Sequence, residues 1–322
     1  FMWKKGLALL VVCLVGFLVW HESSLEAPGG GKMYRVGILQ LTEHPALDAA
    51  NRGFVDGLRE EGFVDNVILD QQNAQGDQSN LNTIAQRFVA RNSDLVVAIA
   101  TPAVQAMANA TKDIPVLGTA VTSYTTARLV DSDEHPGGNV SGTTDMVPME
   151  KRVELVHQLL PNAKKIGTIY SSSEVNSQLQ AERFREEAKK YGMELVEITV
   201  SNVNDVPQAA NQLSIMGIDA VYFPTDNIIA SSYANIVTIF SSANLPVFPS
   251  DDTWLKTGGL AAYSVDFYKL GVQTGHMAAR VLRGESTPDS MPIEMQEPIK
   301  FVFNQDEADR LHIQIPESLR QQ

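Results

Sequence analysis

Several polar residues sit where their types could do chemistry. Ser171-Ser172-Ser173 sets three hydroxyls in a row, directly after the apolar run 166–170. Asp226-Asn227 follows apolar 220–223, and Ser250-Asp251-Asp252 follows Pro246-Val-Phe248. Thr101-Pro102 closes the apolar run 95–100, and Glu43 and His44 share the loop after 34–41. Hydroxyls and backbone N–H groups at helix starts hold anions, and a carboxylate holds a cation. Catalysis asks for more, namely a nucleophile with a base in reach. Here there is no GxSxG elbow, and the six histidines (21, 44, 135, 157, 276, 312) show no HExxH and no close pair. A hydrolase using a loop serine or the Asp251-Asp252 pair is therefore not expected, and neither is a zinc site. Glu43 and His44, with no nucleophile beside them, read as a solvated loop.

The elements that must position these residues alternate strictly between strand and helix. Strands are expected at 34–41, 67–69, 95–100 and 114–118. Between them, helices are marked by Leu47, Ala50, Phe54 and Leu58, then by Leu81, Ile84, Ala85 and Phe88, and by a start at Thr101-Pro102. The run 95–100 is apolar throughout, as a central parallel strand buried on both faces requires. Lys165-Ile-Gly-Thr-Ile169 then echoes Arg35-Val-Gly-Ile-Leu39, and the scheme starts over. Helices are expected at 148–160, 174–191, 206–216 and 267–282, and strands at 194–200, 220–223, 246–248, 260–264 and 298–303. The fold class is α/β, with two similar doubly wound parallel-sheet lobes. Ligands of such sheets sit beyond the carboxyl ends of the strands. That rule nominates Gln40 to His44, Thr101 to Ala103 and Thr119 to Tyr124 in the first lobe. In the second it nominates the loops at Ser171–Ser173, Asp226-Asn227 and Asp251.

Composition is that of a globular protein, with 322 residues, 44% hydrophobic, 20% charged and a net charge of −13. An acidic chain without a basic cluster is not expected to bind nucleic acid. The single cysteine, Cys13, lies near the N-terminus, so no disulfide is expected in the body. Met2-Trp-Lys-Lys, the apolar run 6–20 and the following polar and Gly29-Gly-Gly31 stretch have the layout of an export signal. The run is shorter than the roughly 20 residues of a comfortable membrane span. Leu10-Val-Val-Cys13 has the outline of a lipobox with Val12 in the place of a small residue, and Pro28 disfavours cleavage after Ala27. Cleavage, lipidation and retention as an anchor all stay open. The chain is expected to be exported, to the periplasm or to the outer face of the cytoplasmic membrane, and to touch the membrane only through this segment.

In order along the chain, Ala100-Thr-Pro-Ala-Val-Gln-Ala106, Gly138-Asn-Val-Ser-Gly-Thr-Thr-Asp145, Tyr170-Ser-Ser-Ser-Glu-Val-Asn-Ser177, Asp226-Asn227 and the stretch 258–271 resemble a type I periplasmic binding protein. More closely, they resemble the ABC-transporter substrate-binding family that takes up tryptophan, tyrosine or similar amino acids. The resemblance spans 33 to about 320. It implies a multi-strand hinge, with lobe one at 33–143 and 266–293, lobe two at 144–265 and 294–322, and a signal or anchor at 1–32. It also implies a receptor rather than an enzyme, with no cofactor and no metal. Its partners would be a small ligand, an aromatic or apolar amino acid, and an ABC permease. The alternatives are the same fold binding a sugar or nucleoside, or a sensing domain for a signalling partner. No DNA-binding headpiece precedes residue 33, so a repressor is not expected.

For an amino acid ligand, Ser171, Ser172 and Ser173 would hold the carboxylate, with Thr101 and Pro102 facing them. Asp226 would hold the ammonium, with Asp251 or Asp252 as runner-up, and Asp145 reads as a hinge or cap residue. Tyr170 and Tyr124 are the candidate stacking rings. Gln40, Thr122, Asn176 and Asn227 complete the expected site.

Overall fold

A computed structural model describes residues 31–296 and 298–322. The expected export or anchor segment, with Cys13, lies outside the described residues apart from its last two positions. Among the described residues no helix is long and apolar enough to cross a membrane.

The first lobe runs β1 (Tyr34–Gln40), α1 (Pro45–Glu60), β2 (Val67–Asn73), α2 (Gln78–Ala90), β3 (Leu95–Ile99), α3 (Thr101–Ala110), β4 (Val116–Val121) and β5 (Val140–Thr144). The second runs α4 (Met149–Leu159), β6 (Lys165–Ser171), α5 (Val175–Ala188), β7 (Glu194–Val200), α6 (Val206–Ser214), β8 (Ala220–Tyr222), α7 (Asn227–Ser242), β9 (Val247–Phe248) and the short α8 (Asp252–Leu255). The chain ends with β10 (Ala261–Ser264), α9 (Phe267–Leu282), β11 (Glu294–Met295), β12 (Lys300–Phe303), α10 (Gln305–Arg310) and α11 (Glu317–Arg320).

The sheets explain the internal echo. The first has the order β11-β5-β4-β3-β1-β2 and the second β7-β6-β8-β9, with parallel pairing throughout both. β1 and β6 thus hold equivalent places, each between the second and third strands of its lobe. In both sheets the connections reverse direction beside that strand, which opens a crevice at its carboxyl end. β3 is buried along its whole length, as its unbroken apolar run demands. β10 and β12 pair antiparallel as a separate ribbon.

The chain leaves the first sheet after β5 and returns as α9, which packs on α1. Glycines let the two backbones touch. A Cβ on Gly53 or Gly57 would strike the carbonyls of Tyr268 or Val272, and one on Gly271 or Gly275 would strike those of Ala50 or Phe54. Both helices therefore start at the same rim, at Pro45 and at Phe267. β11 then adds to β5 at the edge of the first sheet, so Glu294 and Met295 pair with the first lobe and not the second.

Candidate functional site: a closed chamber between the lobes

The strand ends of both sheets face one another across a cleft whose centre is a tight chamber of about 10 Å³. That is room for about one water, so the two lobes stand drawn together around it. The first lobe supplies His44, Ala46 and Leu47 at the start of α1, Ala120 at the end of β4, Asp145 just past β5, and Phe267 at the start of α9. The second supplies Thr225, Asp226, Asn227 and Ala230 around the start of α7, and Asp251 and Trp254 at α8.

One wall is aromatic and small. Trp254 is wedged against Tyr233 (centroids 4.8 Å) and Phe223 (5.9 Å), and Tyr233 donates from its hydroxyl to the Gly258 carbonyl at 2.7 Å. Phe267 and Leu47 add apolar surface, and the alanines 46, 120 and 230 leave room. Ala120 lies in the left-handed region (φ 54°), at a break in register between β4 and β5. Such strain gathers at binding sites.

The other wall carries unanswered polarity. Asp145 is 3% exposed. One carboxyl oxygen accepts from Thr122 Oγ1 at 3.0 Å, and the other, Oδ2, has no partner among the described residues. Burial raises its pKa to about 6 against the Thr122 hydrogen bond and the nearby Arg152 guanidinium, with Asp251 adding to the rise. Arg152 is itself buried and donates to the Ser250 carbonyl at 2.9 Å. His44 is also incomplete. Burial lowers its pKa, so the ring is neutral; Nε2 is 3.0 Å from Asn227 Oδ1, and Nδ1 has no partner. The start of α1 is open as well. Pro45 has no N–H, no side chain caps the helix, and the first helix-type bond is the Asp48 N–H to the His44 carbonyl. The N–H groups of Ala46 and Leu47 thus face the chamber end with a helix dipole behind them. By contrast, α9 is capped by Asp266, which accepts from the Lys269 N–H at 3.0 Å.

Some sequence-predicted residues lie elsewhere or are already occupied. Asp226, expected to meet an ammonium, is the cap of α7. It accepts from the Ile229 N–H (2.9 Å), the Ser171 N–H (2.6 Å) and Ser177 Oγ (2.7 Å), so its acceptors are used within the second lobe. The α7 start also receives Glu174, which accepts from the N–H groups of Asn227 (3.1 Å) and Ile228 (3.2 Å) and from Asn227 Nδ2 (2.7 Å). Burial and the neighbouring Asp226 raise the pKa of Glu174. The serine row is spent locally: Ser171 and Ser173 bond each other, and Ser172 bonds the Val200 carbonyl. Thr101 is the first residue of α3 rather than its cap, a place taken by Ala100 at φ 90°. Asn176 donates to Glu174 and to the Thr225 carbonyl, and its Oδ1 is unpartnered. Gln40 is tied to Thr42 in the β1–α1 loop and to Asp48 and Asn51 on α1.

The two tyrosines expected to stack are not chamber residues. Tyr124 fills the space left by Gly118 and Gly142, and its hydroxyl donates to the Thr143 carbonyl at 2.8 Å. Tyr170 donates to Glu197 at 3.0 Å, on the β7 side of the second sheet. Asp251 does line the chamber, where it caps α8 by accepting from the Thr253 N–H (2.9 Å) and hydroxyl (2.6 Å). Pro102, Ser173 and Asn227 line a larger outer cleft of about 530 Å³ beside it.

Sequence reasoning passed over Asp145, His44, Trp254 and Phe267 as contacts. A signal existed for Asp145: Met146, Val147 and Pro148 separate it from the start of α4, too far for its carboxyl to cap that helix. Among the described residues there is no cluster of metal-ligating side chains.

A family model described as ABC transporter substrate binding protein matches residues 35–322. The chain is 42% identical over 285 residues to the tyrosine-binding protein of Clostridioides difficile, covering 88% of this chain and 82% of that one. A structure from Streptococcus pneumoniae, described as an ABC domain in complex with L-Trp, matches with 40% identity and TM-score 0.86, covering 90% of this chain and 98% of that one. The ligand-free, open form of a substrate-binding protein from Clostridium difficile matches with 41% identity but TM-score 0.68, over 88% and 97%. At near-equal identity, the chain superposes more closely on the L-Trp complex than on the open form.

Proposed function

Because the chain belongs to the ABC transporter substrate-binding protein family, we propose that its inner chamber, widened as the lobes part, holds one aromatic amino acid, tyrosine or tryptophan, as a zwitterion. The chain has the two-lobed fold of type I periplasmic binding proteins, and its family consists of solute receptors. The observation that carries the ligand reading is the unpartnered Oδ2 of buried Asp145. A buried carboxyl oxygen without a hydrogen-bond partner is costly. An ammonium supplies the charge, and it brings three donors for acceptors such as Asp145 Oδ2 and His44 Nδ1.

The rest of the ligand fits the same frame. Its carboxylate meets the open N–H groups of Ala46 and Leu47. Its ring enters the slot beside Trp254 and Phe267. The zwitterion is read chiefly by the first lobe, while the second brings Trp254 and Asp251 over it. Closure buries the ligand and presents a joined two-lobe surface to the permease. No step of this cycle needs a covalent intermediate. The lobes divide at 144, at 265 and after Met295, and residues 1–32 serve export or retention at the outer face of the membrane.

The experiment is a thermal-shift panel of the twenty amino acids, followed by native mass spectrometry of freshly purified protein. A shift with tyrosine or tryptophan and a bound mass equal to one of them supports the reading. A flat panel with no bound amino acid overturns it.

A further inference from the structure

We propose that His44, Asn227 and Glu174 form a latch that holds the lobes closed, with Glu174 as its positioning residue. The proposal rests on the receptor reading for its purpose but on its own contacts for its existence.

His44 ends the β1–α1 loop of the first lobe, and Asn227 opens α7 of the second. Their side chains meet across the cleft at 3.0 Å, Nε2 to Oδ1, between residues 183 apart in sequence. Both residues are 7% exposed. The direction of the bond is fixed from behind. Asn227 Nδ2 donates to Glu174 Oε2 at 2.7 Å, so Oδ1 is the end left to face His44. An amide oxygen only accepts, so His44 must carry its proton on Nε2. Glu174 is held in turn by the backbone N–H groups of Asn227 and Ile228 and by Asn176 Nδ2. A carboxyl group seated on the start of α7 thus orients an amide that reaches into the other lobe.

The latch also stands where it can sense occupancy. His44 and Asn227 both wall the inner chamber, and Asn227 walls the outer cleft as well. The bond is therefore part of the partition between the two spaces. It forms only with the lobes together, and a ligand in the chamber lies behind it. Opening breaks this bond while leaving Glu174 on α7, so the second-lobe half of the latch stays set for the next closure.

The test reads lobe-to-lobe distance by pulsed dipolar spectroscopy. Cys13 is the chain's only cysteine, so the background is Cys13→Ser, with labels at Arg52→Cys on α1 and Lys256→Cys after α8. Distances are taken with and without saturating L-tyrosine or L-tryptophan, beside the ligand dissociation rate. His44→Ala and Asn227→Ala are expected each to widen the distance distribution and to speed dissociation about tenfold or more. The double variant is expected to go little further than His44→Ala alone, since Asn227→Ala removes only the bond that His44→Ala has already broken. Glu174→Ala, which removes only the orienting group, is expected to shift the same way with a smaller effect. Distributions matching that of the parent protein, or effects of His44→Ala and Asn227→Ala that simply add, would overturn the latch. If the parent protein gives one distance with and without either amino acid, the receptor reading fails. The latch is then judged by whether the variants widen that single distance.

Discussion

The Thr122 hydroxyl donates to one oxygen of the Asp145 carboxyl at 3.0 Å and leaves the other oxygen buried with no partner. A buried half-satisfied carboxylate destabilises a protein unless something answers it. On the proposed reading the answer arrives with the ligand. The free protein carries a destabilised group, and binding energy comes from relieving it.

Asp145 and Asp226 are expected to behave oppositely. Asp226→Ala strips a cap and two further hydrogen bonds from a buried cluster, at a cost of about 2–4 kcal/mol of folding stability. Urea unfolding of the free protein checks this, with a midpoint well below the parent's. Asp145→Asn removes no such hub and is expected to leave the midpoint unchanged or higher.

Binding is expected to weaken with acid. The ligand needs Asp145 ionised, and burial places that group at about 6. Affinity should be level above neutrality and fall towards tenfold per pH unit well below 6, with proton release on binding in that range. For the free protein the sign reverses. The folded pKa lies above the ordinary value near 3.8, so this group's contribution is full below about 4 and lost as pH rises through 6. The loss is about 3 kcal/mol by the usual conversion of 1.36 kcal/mol per unit. Calorimetry between pH 5 and 8 in two buffers of different ionisation enthalpy reads the proton count.

The two ends of the zwitterion can be separated on the ligand side. Tyramine lacks the carboxylate for Ala46 and Leu47, and N-acetyltyrosine lacks the ammonium for Asp145. Each is expected to bind at least about 100-fold more weakly than tyrosine, because a polar site rejects a ligand that leaves its groups unpaired. Competition against bound tyrosine measures both.

Trp254 should report binding directly. Trp3 and Trp20 lie in the N-terminal segment, so ligand-dependent change in tryptophan emission is expected to come from Trp254. L-tyrosine should alter the emission of the parent protein, and Trp254→Leu should lose that change. The same variant should lose about tenfold or more in affinity, as truncation of a buried aromatic anchor does. Ala230→Leu narrows the slot and is expected to weaken tryptophan more than tyrosine.

The two-lobed architecture was legible because it rests on repeated local pattern. The runs 35–39 and 165–169 are alike since each is the first strand of its lobe, and in both sheets that strand lies between the second and the third. The site was less legible. Asp226 and Asp145 are both acidic residues beyond a buried strand, and sequence favoured Asp226. A helix opens at Asn227, so Asp226 has three nearby N–H and O–H donors. Asp145 is followed by Met146, Val147 and Pro148, and it has only the hydroxyl of Thr122. Which acid is satisfied depends on contacts across 23 and 55 residues. Tyr124 likewise read as a loop-end ring, although Gly118 and Gly142 had cleared a core site for it. Trp254 enters the chamber through a four-residue helix too short to leave a periodic pattern.

The central claim is most directly tested by titration calorimetry of the parent protein and Asp145→Asn with L-tyrosine and L-tryptophan at pH 7.5. One site per chain is expected for the parent. The variant is expected to bind about tenfold or more weakly while melting at the same temperature or higher when free. Unchanged affinity in Asp145→Asn would contradict the account.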